Sequence, residues 1–169
     1  EVIHTLRLKE AGLLSPLPKR FVVDHPTGFV GENDQWIGFA ARARVLIINT
    51  GQTSSGAVPD SLQDFTLPRW RNKAAFANPR FGTTGTHFAA LYTAWGESRF
   101  RQWIKALKTN QVAMLPGNAQ VKNQVADGIY TFGLTDTDDA NLAVERERDV
   151  ALVFPDQGND LGTLLIPNT

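Results

Sequence analysis

The chain has no cysteine among its 169 residues. That excludes disulfides, thiolate nucleophiles and every cysteine-built zinc or iron–sulfur site. It suits an oxidising compartment, where stray thiols are a liability, without demanding one. An excess of either charge is also missing: 17 Lys+Arg stand against 17 Asp+Glu, a formal net charge of zero. A dedicated nucleic-acid binder would show a basic excess or stripe, so no nucleic-acid partner is expected. No apolar run approaches the roughly 18 residues of a spanning helix, so no direct membrane insertion is expected. Histidine is scarce, and His4, His25 and His87 show neither H-E-x-x-H nor any paired spacing. A G-x-S-x-G elbow and the Gly-Lys-Ser/Thr of a P-loop are absent too. Few enzyme classes survive these absences, and no organic cofactor is expected.

What remains is a chain with 42% hydrophobic and 20% charged residues, the balance of a globular protein with its own core. Its length suits one domain, or one and a piece of another. Residues 1–14 carry apolar side chains near helical spacing until Gly12 interrupts, and residues 15–35 are punctuated by Pro and Gly. Trp36–Thr50 reads as extended chain ending in the buried-strand run Val45–Ile48. Residues 51–61 read as a loop, followed by a helical turn broken before Pro68.

A regular alternation then begins. Ala74–Ala77 is a short strand leading through a Gly/Thr turn to a helix with Phe88, Leu91, Tyr92 and Trp95 on one face. Gly96 ends that helix, and a second one carries Phe100, Trp103, Ile104 and Leu107 at the same spacing. Val112–Leu115 is a strand, Asn118 caps a third helix, and Ile129–Thr135 is a strand. A helix with acids in its first turn follows, as the helix dipole favours. Val150–Phe154 and Gly162–Pro167 are closing strands. The pattern predicts an α/β architecture with a mostly parallel sheet flanked by helices. The first and last segments read as cut ends of longer elements, as in a piece of a larger protein.

In such a sheet, strand carboxyl ends and the helix N-termini that follow them line the ligand crevice. The stretch FGTTGTH lies at one of these junctions. Gly82 and Gly85 free the backbone, and Thr83, Thr84 and Thr86 offer hydroxyls beside the positive end of a helix. Two readings stay open: an anion site built from Thr83, Thr84, Gly85 and Thr86, or a Thr that caps the helix. GLTDTDDA stands at a second junction. Its Asp136, Asp138 and Asp139 are hard oxygen donors for a hard cation, or helix-start acids that need no ligand. Asn118 opens a third helix, as a plain cap or as part of the anion site. His87, beside the Gly/Thr turn, reads as a capping or packing residue. The repetition matters: three junctions with small polar residues belong at one edge of one sheet.

The stretches WIGFAARARVLIINT, SLQDFTLPRWRNKAAFANPRFGTTGTHFAALYTAWG, GNAQVKNQVADG, GLTDTDDA and VFPDQGNDLGTLLIPNT, taken in order, resemble the extracellular solute-binding proteins of bacterial ABC importers. The ferric-iron-binding branch is the most similar. The resemblance implies a periplasmic-binding-protein type II-like lobe with crossover strands. Residues 1–48 would be a remnant of the first lobe and a crossover strand, residues 49–154 the second ligand-binding lobe, and residues 155–169 the return crossover strand. It further implies iron(III) as cargo, with phosphate or carbonate as synergistic anion at Thr84-Gly85-Thr86 assisted by Asn118. A membrane permease of the transporter would be the partner, and the location periplasmic or extracellular, lipid-anchored or soluble. One departure stands out. The family's adjacent tyrosine pair is replaced here by Asp138-Asp139, so carboxylates would have to replace phenolates on the metal. A phosphate- or sulfate-type binder without metal, and an enzyme on the same fold, are the alternatives.

Overall fold

In the computed structural model, residues 2–53, 57–156 and 161–169 are described. The middle of the expected 51–61 loop and part of the expected 155–169 return strand lie outside the described residues. The chain divides into two compact units. The smaller comprises Glu1–Arg42 with Leu165–Thr169, and the larger Ala43–Leu164.

In the smaller unit, helix α1 (Val2–Glu10) replaces the expected 1–14 helix and stops two residues short of Gly12, which has φ 69°. Lys9 pairs with Glu32 at 2.6 Å, and Thr5 meets Thr169 through their hydroxyls at 2.7 Å. Strand β6 (Leu165–Asn168) belongs here, with Phe39 N–H donating to the Asn168 carbonyl at 3.0 Å.

The larger unit is built on a mixed sheet. Its strands are β1 (Ala40–Asn49), β2 (Ala74–Ala77), β3 (Ala113–Leu115), β4 (Phe132–Asp136) and β5 (Val150–Val153), in the order β3-β2-β4-β1-β5, with β6 pairing β1 off that path. The α/β expectation holds. The parallel pairings are β3 with β2 and β2 with β4; β1 lies antiparallel between β4 and β5, which are joined through α4 and run the same way. Val45, Leu46 and Ile47 are wholly buried between β4 and β5, so the second half of β1 is part of this core.

The helices are α2 (Gly82–Thr109), α3 (Asn118–Ala126) and α4 (Thr137–Glu145). Strand alternation sorts them onto two faces. Leu46, Ile48, Phe76, Phe132 and Leu134 face α2 and the 3-10 turns Leu62–Thr66 and Pro68–Trp70. Val45, Ile47, Ala75 and Ala77 face α3 and α4 through Val121, Val125, Ala140 and Ala143. The first face is aromatic: Phe88 lies 5.4 Å from Phe76 and 5.3 Å from Trp103, ring centre to ring centre. The second is built from small residues, which lets α3 and α4 approach closely. As expected, Gly96 breaks α2, with φ 75° and ψ 162° inside an otherwise continuous helix. Of the expected apolar faces, Phe88, Leu91, Trp103 and Leu107 are buried, whereas Tyr92 and Ile104 remain exposed.

Gly133 shows how tight the small-residue face is. A Cβ there would stand 2.4 Å from Val121 Cγ1 and 2.9 Å from the Ala75 carbonyl oxygen, a backbone atom that cannot swing aside. Gly133→Ala is expected to cost about 1–3 kcal/mol by overpacking, read as a lowered urea midpoint with an unchanged slope.

Candidate functional site

β2 feeds α2 on one face of the sheet, and β3 feeds α3 on the other. The chain therefore switches faces around β2, and the switch point, where α/β sheets take their ligands, lies beyond the carboxyl ends of β2 and β4. The three polar junctions do meet at this edge. What brings them together is a residue that the sequence reading passed over.

That residue is Arg44. The antiparallel register sets Arg44 of β1 directly opposite Asp136, the last residue of β4. Directly opposed residues in an antiparallel pair project to the same face, so the two side chains meet. They form an ion pair in which both side chains are fully buried. Arg44 Nη1 also donates to Thr83 Oγ1 at 3.0 Å and to Asn118 Oδ1 at 3.3 Å, while Nη2 donates to Thr84 Oγ1 at 3.1 Å. The second Asp136 oxygen accepts from the Thr83 hydroxyl at 2.7 Å and from Asn118 Nδ2 at 2.8 Å. The signal for Arg44 was a cation directly abutting the apolar run Val45–Ile48, where a strand residue is bound to be buried.

Each expected site residue has a definite place. Thr83 and Thr84 lie inside the first turn of α2, whose cap is Phe81 without any side-chain hydrogen bond. The helix therefore starts earlier than a cap at either Thr would put it, and both hydroxyls serve the Arg44–Asp136 pair instead. Asn118 likewise is the first residue of α3, capped by Gly117, and its amide points into the same pair. Gly85 is required by packing. Its added Cβ would lie 2.6 Å from the Pro79 carbonyl oxygen, where the turn before α2 folds back on the helix. Thr86 Oγ1 is buried and makes no hydrogen bond among the described residues.

Asp136, Asp138 and Asp139 can each offer a carboxylate oxygen with all three within 4.8 Å of one another. They are not equivalent: Asp136 is buried on Arg44, Asp139 is half-buried and Asp138 is exposed. A cation reaching this edge from solvent meets Asp138 and Asp139 first.

His87 sits one turn further along α2, fully buried, with Nε2 2.6 Å from the Leu161 carbonyl. A carbonyl only accepts, so Nε2 carries the proton. Burial, and then the charge of Arg44, push its pKa down to about 3, against the opposing effect of the Leu161 hydrogen bond. His87 is thus a neutral packing residue, as expected, and not a second cation at this edge.

A switch point of this kind, flanked by helix N-termini, is where α/β proteins take small anions and ions. The chain belongs to the family described as bacterial extracellular solute-binding protein, which residues 5–163 match. It is 32% identical over 124 residues to the Fe(3+)-binding periplasmic protein of Serratia marcescens, covering 73% of this chain and 36% of that protein. It is 28% identical over 122 residues to the major ferric iron-binding protein of Neisseria meningitidis serogroup A, covering 70% and 34% respectively. The chain thus spans about a third of the length of these curated relatives. Iron-bound HitA from Pseudomonas aeruginosa superposes with a TM-score of 0.84 at 25% identity, over 95% of this chain and 52% of that one. Apo ferric ion-binding protein A of Pasteurella haemolytica shares the fold, with a TM-score of 0.80 at 18% identity.

The His87 geometry has a consequence for stability. Its folded pKa lies below the ordinary 6.5, so between those values the unfolded chain binds the extra proton. Stability is therefore whole above about pH 6.5 and falls as the pH drops toward about 3. His87→Gln is expected to flatten that fall by up to about 1.4 kcal/mol per pH unit, read by urea unfolding across this range. An unchanged slope would contradict a buried neutral His87.

Proposed function

We propose that this chain is the cargo-binding lobe of the solute-binding component of a bacterial ABC uptake system, working in the periplasm or outside the cell and delivering to a membrane permease. The cargo is iron(III). The observation that carries the reading is the convergence of three carboxylates within 4.8 Å where α2, α3 and α4 begin. Ferric iron is a hard acid, and carboxylate oxygens are hard donors that replace the missing phenolates in kind. Asp138 and Asp139 are the ligands facing outward, and Asp136 backs them while held on Arg44. The names of the Serratia and Neisseria relatives and the iron-bound Pseudomonas neighbour support this cargo.

A synergistic anion, phosphate or carbonate, takes the backbone N–H end of α2, at Thr83, Thr84, Gly85 and Thr86 with Asn118 beside it, while the Thr83 and Thr84 hydroxyls and the Asn118 amide stay with Arg44 and Asp136. The positive end of the helix favours negative charge there. The protein makes and breaks no covalent bond. Ligand acts by stabilising a closed state through contacts that only that state offers.

The test is a thermal-shift panel on the full-length protein, with ferric nitrilotriacetate, phosphate and carbonate, separately and combined. Ligand at about 100 times its dissociation constant adds about 2.7 kcal/mol of stability. Iron with anion is expected to stabilise the protein, and Asp138→Ala/Asp139→Ala to abolish that gain. Stabilisation by phosphate or sulfate alone, unchanged in the double variant, would assign an anion carrier without metal.

A further inference from the structure

We infer that Arg44 is the positioning residue of this site: one guanidinium holds the starts of α2, α3 and α4 in register with one another. Its partners come from all three helices. Thr83 and Thr84 are on the first turn of α2, Asn118 is the first residue of α3, and Asp136 is the N-cap of α4. These contacts span 39, 40, 74 and 92 residues of sequence, so no local structure could supply them.

The donors and acceptors of the network are complementary, with the two Nη1 protons shared among Asp136, Thr83 and Asn118. The Thr83 hydroxyl accepts from Arg44 and from Asn118 Nδ2 at 2.9 Å, and gives its own proton to Asp136. The Asn118 amide is oriented by the same logic, its oxygen toward Arg44 and its nitrogen toward Asp136. A planar fork with two separated terminal nitrogens meets this geometry, and the single point charge of Lys does not. Asp138 and Asp139 follow Asp136 within the first turn of α4, so what anchors Asp136 places them as well. The inference rests on the cargo reading only for its affinity measurement.

The experiment compares wild type, Arg44→Lys and Leu107→Ala in the full-length protein. Leu107 is a buried core residue at the far end of α2, and its truncation lowers stability without touching the network. In the ligand-free protein, amide hydrogen exchange is expected to rise together at the starts of α2, α3 and α4 in Arg44→Lys, and not in Leu107→Ala. Ferric iron affinity, measured by competition with nitrilotriacetate, is expected to fall about ten- to hundredfold in Arg44→Lys alone. Exchange that rises at only one helix, or an affinity loss equal to that of Leu107→Ala, would overturn the inference. Should wild type bind no iron, the cargo reading fails and the exchange pattern alone decides the role of Arg44. Thr84→Val keeps the test open if Arg44→Lys does not fold. It removes the Nη2 contact and the Thr84 hydroxyl's 3.5 Å bond to Asn118 Oδ1, and is expected to raise exchange at the start of α2; unaltered exchange there would count as refutation.

Discussion

A guanidinium shut away from water has to find both a countercharge and acceptors in the protein itself, since leaving it unpaired carries a desolvation penalty of several kcal/mol. In the larger unit that demand is met at one place. Arg44 takes its countercharge from Asp136 and its remaining acceptors from Thr83, Thr84 and Asn118. Every one of those partners begins a helix or closes a strand that leads into one. The ion pair is therefore less a contribution to net stability than a constraint on geometry. Breaking one partner leaves the other charge buried, which is why such a pair tolerates few alternative arrangements.

The sheet makes this constraint possible by having unlike faces. Aromatic side chains fill the space under α2, while glycine and alanine let α3 and α4 lie close on the other side. The N-terminal ends of α2 and α3 then arrive from opposite faces at the same sheet edge, with the end of β4 between them. Their dipoles bring positive potential to that edge, where Arg44 is balanced by Asp136 and the carboxylates of Asp138 and Asp139 stand further out. On the proposed reading, the carboxylates of Asp138 and Asp139 do there what tyrosine phenolates do elsewhere in the family: they bring negative oxygen donors to a trivalent cation beside an anion-favouring helix start.

His87 lies buried one turn beyond Thr83 on α2. Its ring is hydrogen-bonded to the Leu161 carbonyl and stays neutral near the charge of Arg44. A protonated imidazole at that depth is opposed first by burial and then by the charge of Arg44.

Much of this was legible from residue patterns, because it depends on neighbours in sequence. The strand Ala74–Ala77, the break at Gly96 and the helix after Asp136 follow from apolar spacing, backbone freedom and helix-start acids. That three polar junctions share one edge also follows, since parallel strands joined through helices point their carboxyl ends the same way. The roles of the polar residues at that edge did not follow. Thr83, Thr84 and Asn118 carry the composition of helix caps or ligand donors, yet their side chains are turned inward by a charge far away in the chain. The reason is physical: hydrogen bonds to a buried ion outweigh those to a helix end open to water. Local sequence determined which elements form and where they stop. Only the antiparallel register of β1, which sets Arg44 across from Asp136, decided what those residues hold.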